Sequence, residues 1–112
     1  MTQGRNHSYS RQTSEAIRLL GRMIRLARKE RKLTAEDVAE RVGVTRLTLR
    51  KIENGDPKVS IGLAFEAATI VGVPLFDLSP ASLRAEAERV ESTLALLPKH
   101  THAPRKEVKD DF

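Results

Sequence analysis

The chain contains no cysteine and no tryptophan, and its aromatic side chains are limited to Tyr9, Phe65, Phe76 and Phe112. The lack of cysteine excludes a disulfide framework, a thiolate zinc site and a cysteine nucleophile together, and it suits a reducing compartment. With so little aromatic bulk, the core must be aliphatic. No apolar run approaches the roughly 18 residues that a membrane span needs, and no signal-peptide pattern opens the sequence, so a soluble cytoplasmic protein is expected. Phosphate loops, clustered histidines and paired acids in a pocket-forming segment are also missing, so no enzyme, no cofactor and no metal are expected. His100-x-His102 lacks carboxylate or thiol neighbours at ligand spacing, and two solvated imidazoles explain it better than a metal site.

What the chain does have is a length of 112 residues, enough for one domain and too short for a second independent core, with 39% hydrophobic and 31% charged residues. Its net charge of +5 is unevenly spread. Residues 1–33 carry nine basic and two acidic side chains, residues 34–58 five of each, and residues 59–112 six basic and eight acidic. Positive charge concentrated at the front is the footprint of an anionic partner such as a nucleic acid or an anionic membrane surface, although a solvated helix face would look the same.

Residues 1–13 show no apolar periodicity and read as a flexible arm. From Ser14, a candidate cap, Ile17, Leu20, Ile24 and Ala27 recur at three- and four-residue steps and define one helical stripe. Arg18, Arg22, Arg25, Lys29 and Lys32 form a second stripe about 100° round from it. Arg28 lies beside the apolar stripe, where a charge needs a partner.

Thr34 caps a second helix with Glu36 and Asp37 in its first turn, and Val38, Ala39 and Val42 are its apolar side. Gly43 ends it, since glycine takes a left-handed stop without steric penalty. Thr45 caps a third helix through about Glu53, with Leu49 and Ile52 inward. Asn54-Gly55 is read as its stop; a hairpin would need alternating strands on both sides. After the connector at residues 56–59, Ser60 caps a fourth helix whose face is Ile61, Ala64, Phe65, Ala68 and Val71, ended by Gly72. Leu75, Phe76 and Leu78 form a short apolar turn expected to close the core. A last helix, starting after Ser79-Pro80 or Ser82 and ending before Pro98, carries Leu83, Ala87, Val90, Leu94 and Leu97 in a heptad seam, and residues 98–112 read as a flexible tail. The seam suits packing on its own domain or, as favoured here, a homodimer with dimer candidates Leu83, Val90, Leu94 and Leu97.

Two short capped helices around a glycine turn are the layout of a helix-turn-helix. The stretch from Arg25 to Leu78 resembles the Xre-type helix-turn-helix family, the group of the Cro and phage-repressor proteins, over about 55 of the 112 residues. Leu33-Thr34, Val38-Ala39, Gly43-Val44-Thr45, Ile52-Glu53-Asn54-Gly55 and the Gly72-Val73 exit carry the resemblance. It implies an all-α fold, a five-helix repressor-like helix-turn-helix domain (residues 14–79) plus a C-terminal helix (residues 80–97) and flexible termini.

The resemblance also implies a docking surface on double-stranded DNA. Thr45 matches the recognition-helix cap, which approaches a phosphate. Arg46, Leu47, Thr48, Arg50 and Lys51 occupy the outward face, with Arg46 first for direct readout because a guanidinium can grip guanine O6 and N7 together. Leu47 suits a thymine methyl or merely covers the turn; Thr48 and Arg50 suit phosphates as well as bases. Ala35 and Lys58 complete the candidate DNA-binding residues. Ala35 departs from the family, which often places Gln there to brace the DNA backbone. Arg28 and Glu53 match a pair that forms a buried ion bridge in the family. The cationic ridge of the first helix serves equally as a solvated face, an acidic-partner surface or a DNA contact.

The function expected is a sequence-specific DNA-binding transcriptional repressor, nucleoid-associated and dimeric. The overall layout looks like the HipB-like antitoxins, which repress their own operon and hold a kinase-like toxin; on that reading residues 98–112 are the candidate toxin-binding segment. The alternative is a protein-interaction module that keeps the fold without specific DNA binding, to which Ala35 lends weight.

Overall fold

A computed structural model describes residues 8–99. These residues form five helices: α1 (Arg11–Glu30), α2 (Ala35–Val42), α3 (Arg46–Glu53), α4 (Ile61–Val71) and α5 (Pro80–Ala95). The His100-x-His102 pair, most of the proposed arm and nearly all of the proposed tail lie outside the described residues. The chain divides into two compact units, one through Asp77 and one from Leu78. The first holds α1–α4; the fifth helix is the C-terminal one.

Each helix begins at a hydroxyl side chain that accepts from an otherwise unpartnered backbone N–H three residues on. For α1 that residue is Ser10, whose Oγ accepts from Thr13 N at 3.2 Å, and not Ser14. Residues 11–13 therefore belong to the helix and not to the arm. The added turn is polar on every side, so apolar periodicity cannot report it. At the other end α1 stops at Glu30, and Lys32 falls in the following turn at φ 58° and off the cationic ridge. The Leu33 N–H donates to the Arg28 carbonyl at 3.0 Å, so Lys32 occupies the left-handed position that usually follows a helix end.

The core of the first unit is Ile24 from α1, Val38 and Ala39 from α2, Leu49 and Ile52 from α3, Ala67, Ala68 and Val71 from α4, and Val73 beyond it. All are aliphatic. The face of α4 differs from its expected one. Ala67 is fully buried, whereas Ile61 is 70% exposed. Apolar residues surround this helix on nearly every side, so their spacing cannot choose the inward face. Leu75 packs on the core, but Phe76 does not close it. Positive φ at Phe76 and Asp77 turns the chain outward, leaving Phe76 73% exposed with its ring edge-on to Phe65 at 6.1 Å.

In the second unit Ser79 caps α5 and Pro80 sits in its first turn, where a missing N–H costs nothing. No residue of α5 is buried. Leu83, Ala87, Val90 and Leu94 lie along it, but Leu97 falls beyond its last residue, Ala95, and is not part of a helical seam. The chain leaves the helix at Leu96, just ahead of Pro98, whose ring disfavours helical backbone at the preceding residue. No helix among the described residues is long and apolar enough to cross a membrane.

Candidate nucleic-acid interface

Helix α2 is fixed at its start by a reciprocal cap. Thr34 Oγ1 accepts from Asp37 N at 3.0 Å, and the Asp37 carboxylate accepts from Thr34 N at 3.1 Å. These hydrogen bonds, the backbone one foremost, hold the Asp37 carboxyl below its ordinary pKa. Gly43 ends the helix at φ 86°, a left-handed conformation. A Cβ there would meet nothing within 4 Å, so conformation and not space calls for glycine. Its N–H and that of Val44 return to Ala39 at 2.8 and 2.9 Å, and the chain swings straight into Thr45. Thr45 caps α3 by accepting from Thr48 N at 3.1 Å.

Three residues seat α3 from behind: Leu49 and Ile52 in the core, and Glu53, only 5% exposed. Arg28 reaches the Glu53 carboxylate with two hydrogen bonds, Nε to Oε2 at 2.7 Å and Nη2 to Oε1 at 3.1 Å, and its Nη1 donates to the Leu33 carbonyl at 3.1 Å. The Glu53 hydrogen bonds raise the Arg28 pKa above its ordinary value, against the opposing effect of burial. Every oxygen of the buried carboxylate is thus matched, the condition under which a buried ion pair is tolerated.

The contact between α1 and α3 depends on Gly21, which sequence reading passes over. It is buried in α1, and a Cβ on it would press on the Ile52 carbonyl oxygen and stand 2.7 Å from that of Glu53. Arg22 adds long hydrogen bonds from Nη1 to Asn54 Oδ1 at 3.4 Å and to the Glu53 carbonyl at 3.5 Å. A cation at the C-terminal end of α3 complements its dipole, so Arg22 is more than a solvated side chain.

On the opposite side of α3, Arg46, Leu47, Arg50 and Lys51 are exposed, Leu47 by 57%, and Thr48 is half-buried. At 100° per residue these side chains divide into two groups. Leu47 and Lys51 point straight away from the core, while Arg46 and Arg50 turn toward α1. There they line a polar cavity of about 330 Å³ with Arg25, Arg28, Ala35, Leu49, Glu53 and Asn54. Arg25 belongs to the cationic ridge of α1, so one member of that ridge shares a surface with α3. Its signal in the sequence is its place one turn before Arg28, whose partner lies on α3. Lys58 is exposed in the connector, its backbone N–H held by Asp56 Oδ1 at 2.9 Å, and it does not line the cavity.

Comparison with known proteins gives a consistent picture. The family described as Helix-turn-helix, HTH_3, matches residues 24–78. An uncharacterized HTH-type transcriptional regulator of Methanothermobacter thermautotrophicus is 48% identical over 50 residues, covering 45% of this chain and 72% of the relative. Another, from Methanocaldococcus jannaschii, is 44% identical over 46 residues, covering 41% of this chain and 70% of the relative.

Proposed function

The chain belongs to the Xre- and Cro-like helix-turn-helix family, a group of DNA-binding transcriptional regulators, and from that premise we propose that it is a sequence-specific repressor acting as a homodimer. The observation that supports this most directly is the seating of α3. Leu49, Ile52 and the Arg28–Glu53 pair hold the helix from behind while Arg46, Leu47 and Lys51 stand free to meet a major groove. In this reading Arg46 grips a guanine edge, Leu47 presses on a thymine methyl, Lys51 reaches bases one turn further on, and Thr45, Thr48, Arg50 and Lys58 contact the sugar-phosphate backbone. Ala35 contributes only its main-chain N–H to a phosphate.

A finer reading makes the protein the autoregulating antitoxin of a pair with a kinase-like toxin. Its support is general layout alone: a small domain, the Gly72-Val73-Pro74-Leu75-Phe76 exit, one further helix and a polar tail. The adjacent gene tests it, since a kinase-like neighbour supports the pairing and its absence counts against it.

The DNA-binding reading is tested by titrating the protein against its own upstream DNA and against random duplex at two salt concentrations. Tight, salt-sensitive binding to the upstream DNA is expected, and Arg46→Ala should weaken it by about 1–3 kcal/mol and narrow its margin over random duplex. Equal affinity for the two duplexes favours an interaction module instead.

A further inference from the structure

Besides its core stripe and its cationic ridge, α1 carries a third row of side chains. Ile24 and the half-buried Leu20 and Ala27 belong to the core, and Gly21 abuts α3. Leu19, Met23 and Leu26 lie outside the core cluster and are exposed by 60, 39 and 59%. At 100° per residue they form one stripe roughly 140–160° round from Gly21, on the side of α1 turned away from α3. Steps of four and three residues make the stripe a helix-pairing seam. Its two edges differ. Leu20 and Ala27 border it on the core side. On the other side Arg22 and Lys29, both exposed, stand three residues after Leu19 and Leu26, with Arg18 and Arg25 behind them. Lys29 forms no ion pair among the described residues. The acids Glu15 and Glu30 flank only the two ends of the stripe.

We propose that this stripe is the docking site for an acidic amphipathic helix of a partner protein, with the partner's apolar side on Leu19, Met23 and Leu26 and its carboxylates on Arg22 and Lys29. Charge complementarity selects this occupant. An antiparallel two-fold contact with a second copy would set the Arg22 and Lys29 row against itself, and like charges repel. The three side chains also offer well under the ~800 Å² that each side of a stable interface buries, so the partner is a weakly held, exchangeable one. Met23 suits such a seat, since its unbranched side chain adapts to what it meets. A lipid surface calls for a broader apolar face than three side chains provide. Because the stripe faces away from α3, a helix bound there leaves Arg46, Leu47 and Lys51 open. The chain can then hold this partner and a duplex together, although the docking site itself does not rest on the DNA-binding reading.

The probe is a synthetic peptide of about three heptads with leucine at a and d and glutamate at e and g; its control carries lysine in place of the glutamates. In fluorescence anisotropy the full chain should bind the glutamate peptide in the micromolar range, about tenfold or more tightly than the lysine peptide. Leu19→Gln with Leu26→Gln should weaken that binding about a hundredfold, the effect of losing the apolar contact of two leucines. Lys29→Glu should narrow or reverse the preference between the peptides. All three positions are exposed, so unchanged thermal melting excludes misfolding as the cause of any loss. Saturating upstream DNA should leave the affinity for the peptide unchanged. Peptide binding by a chain that binds no DNA keeps the proposal while the DNA reading falls. A peptide displaced by DNA has its seat on α3, and that result overturns the proposal. Equal binding of the two peptides, or binding that survives the leucine replacements, overturns it as well. So does a parent assembly that the leucine replacements dissociate, which gives the stripe to a second copy. Uptake on phosphatidylglycerol vesicles through these leucines, with no peptide bound, gives it to a lipid surface and also overturns the proposal.

Discussion

Gly21 lies so close to Glu53 that a Cβ at the glycine would stand 2.7 Å from the Glu53 carbonyl oxygen. No rotamer change relieves such a contact, because the main chain fixes the place of a Cβ and its neighbour is a main-chain carbonyl. Gly21→Ala must therefore push α3 away from α1, and with it the Leu49 and Ile52 side chains that seat α3. A destabilisation of about 1–3 kcal/mol is expected, the usual size for overpacking, even though alanine is the better helix former. Chemical denaturation of the two proteins measures it. A gain in stability from Gly21→Ala would show that the helices part without cost.

The Arg28–Glu53 pair predicts an asymmetry. Arg28→Met leaves the Glu53 carboxylate, 5% exposed, without its main partner, and should cost about 3–5 kcal/mol. Adding Glu53→Leu to that variant removes the orphaned charge and should recover most of the loss. A double-mutant cycle in denaturant reads both numbers. If the double variant is no more stable than Arg28→Met, the pair does more for packing than for charge.

How far such features can be read from sequence depends on how local their causes are. The caps at Thr34, Thr45 and Ser60, and the stops at Gly43 and Gly72, follow from the chemistry of one side chain and the few peptides around it, and they are legible. Ser10 escapes notice because a cap is recognised by the apolar pattern behind it, and Arg11-Gln12-Thr13 has none. The inward face of α4 is hidden for the opposite reason, since its apolar residues run all round. Gly21 and Arg25 depend on which helix crosses which, and at what distance. The neighbours of Gly21 in sequence say nothing of the Ile52 carbonyl, and for Arg25 the one signal is its place a turn before Arg28.

Asp37 gives a pH-dependent prediction. Its carboxyl is held below the ordinary value of 3.8 by hydrogen bonds with Thr34, so the folded protein favours the ionised form more than the unfolded chain does. The stabilisation is complete above that ordinary value and is lost as pH falls through the depressed one. Asp37→Asn removes the titration, so its melting temperature should decline less steeply than that of the parent protein across this acid range. Thermal melts between about pH 2 and 6 provide the comparison. Parallel curves for the two proteins would mean that the cap is not linked to stability.

Helix α5 leaves Leu83, Ala87, Val90 and Leu94 along one side at spacings of four, three and four, with no residue of the helix buried. Sixteen residues form a marginal helix in water by themselves, and the exposed Glu86–Arg89 pair adds only a few tenths of a kcal/mol. On the proposed homodimer reading, a second copy of the same helix is what covers this side, and two-fold pairing of the chains matches an operator with two half-sites. Val90→Glu with Leu94→Glu places carboxylates on that side and should give a monomer in sedimentation velocity at concentrations where the parent is dimeric. Because two linked half-sites bind far more tightly than one, the monomer's affinity for upstream DNA should fall about a hundredfold, with single half-site affinity preserved. A parent chain that sediments as a monomer, or a double variant that remains a dimer, moves the two-fold contact off α5.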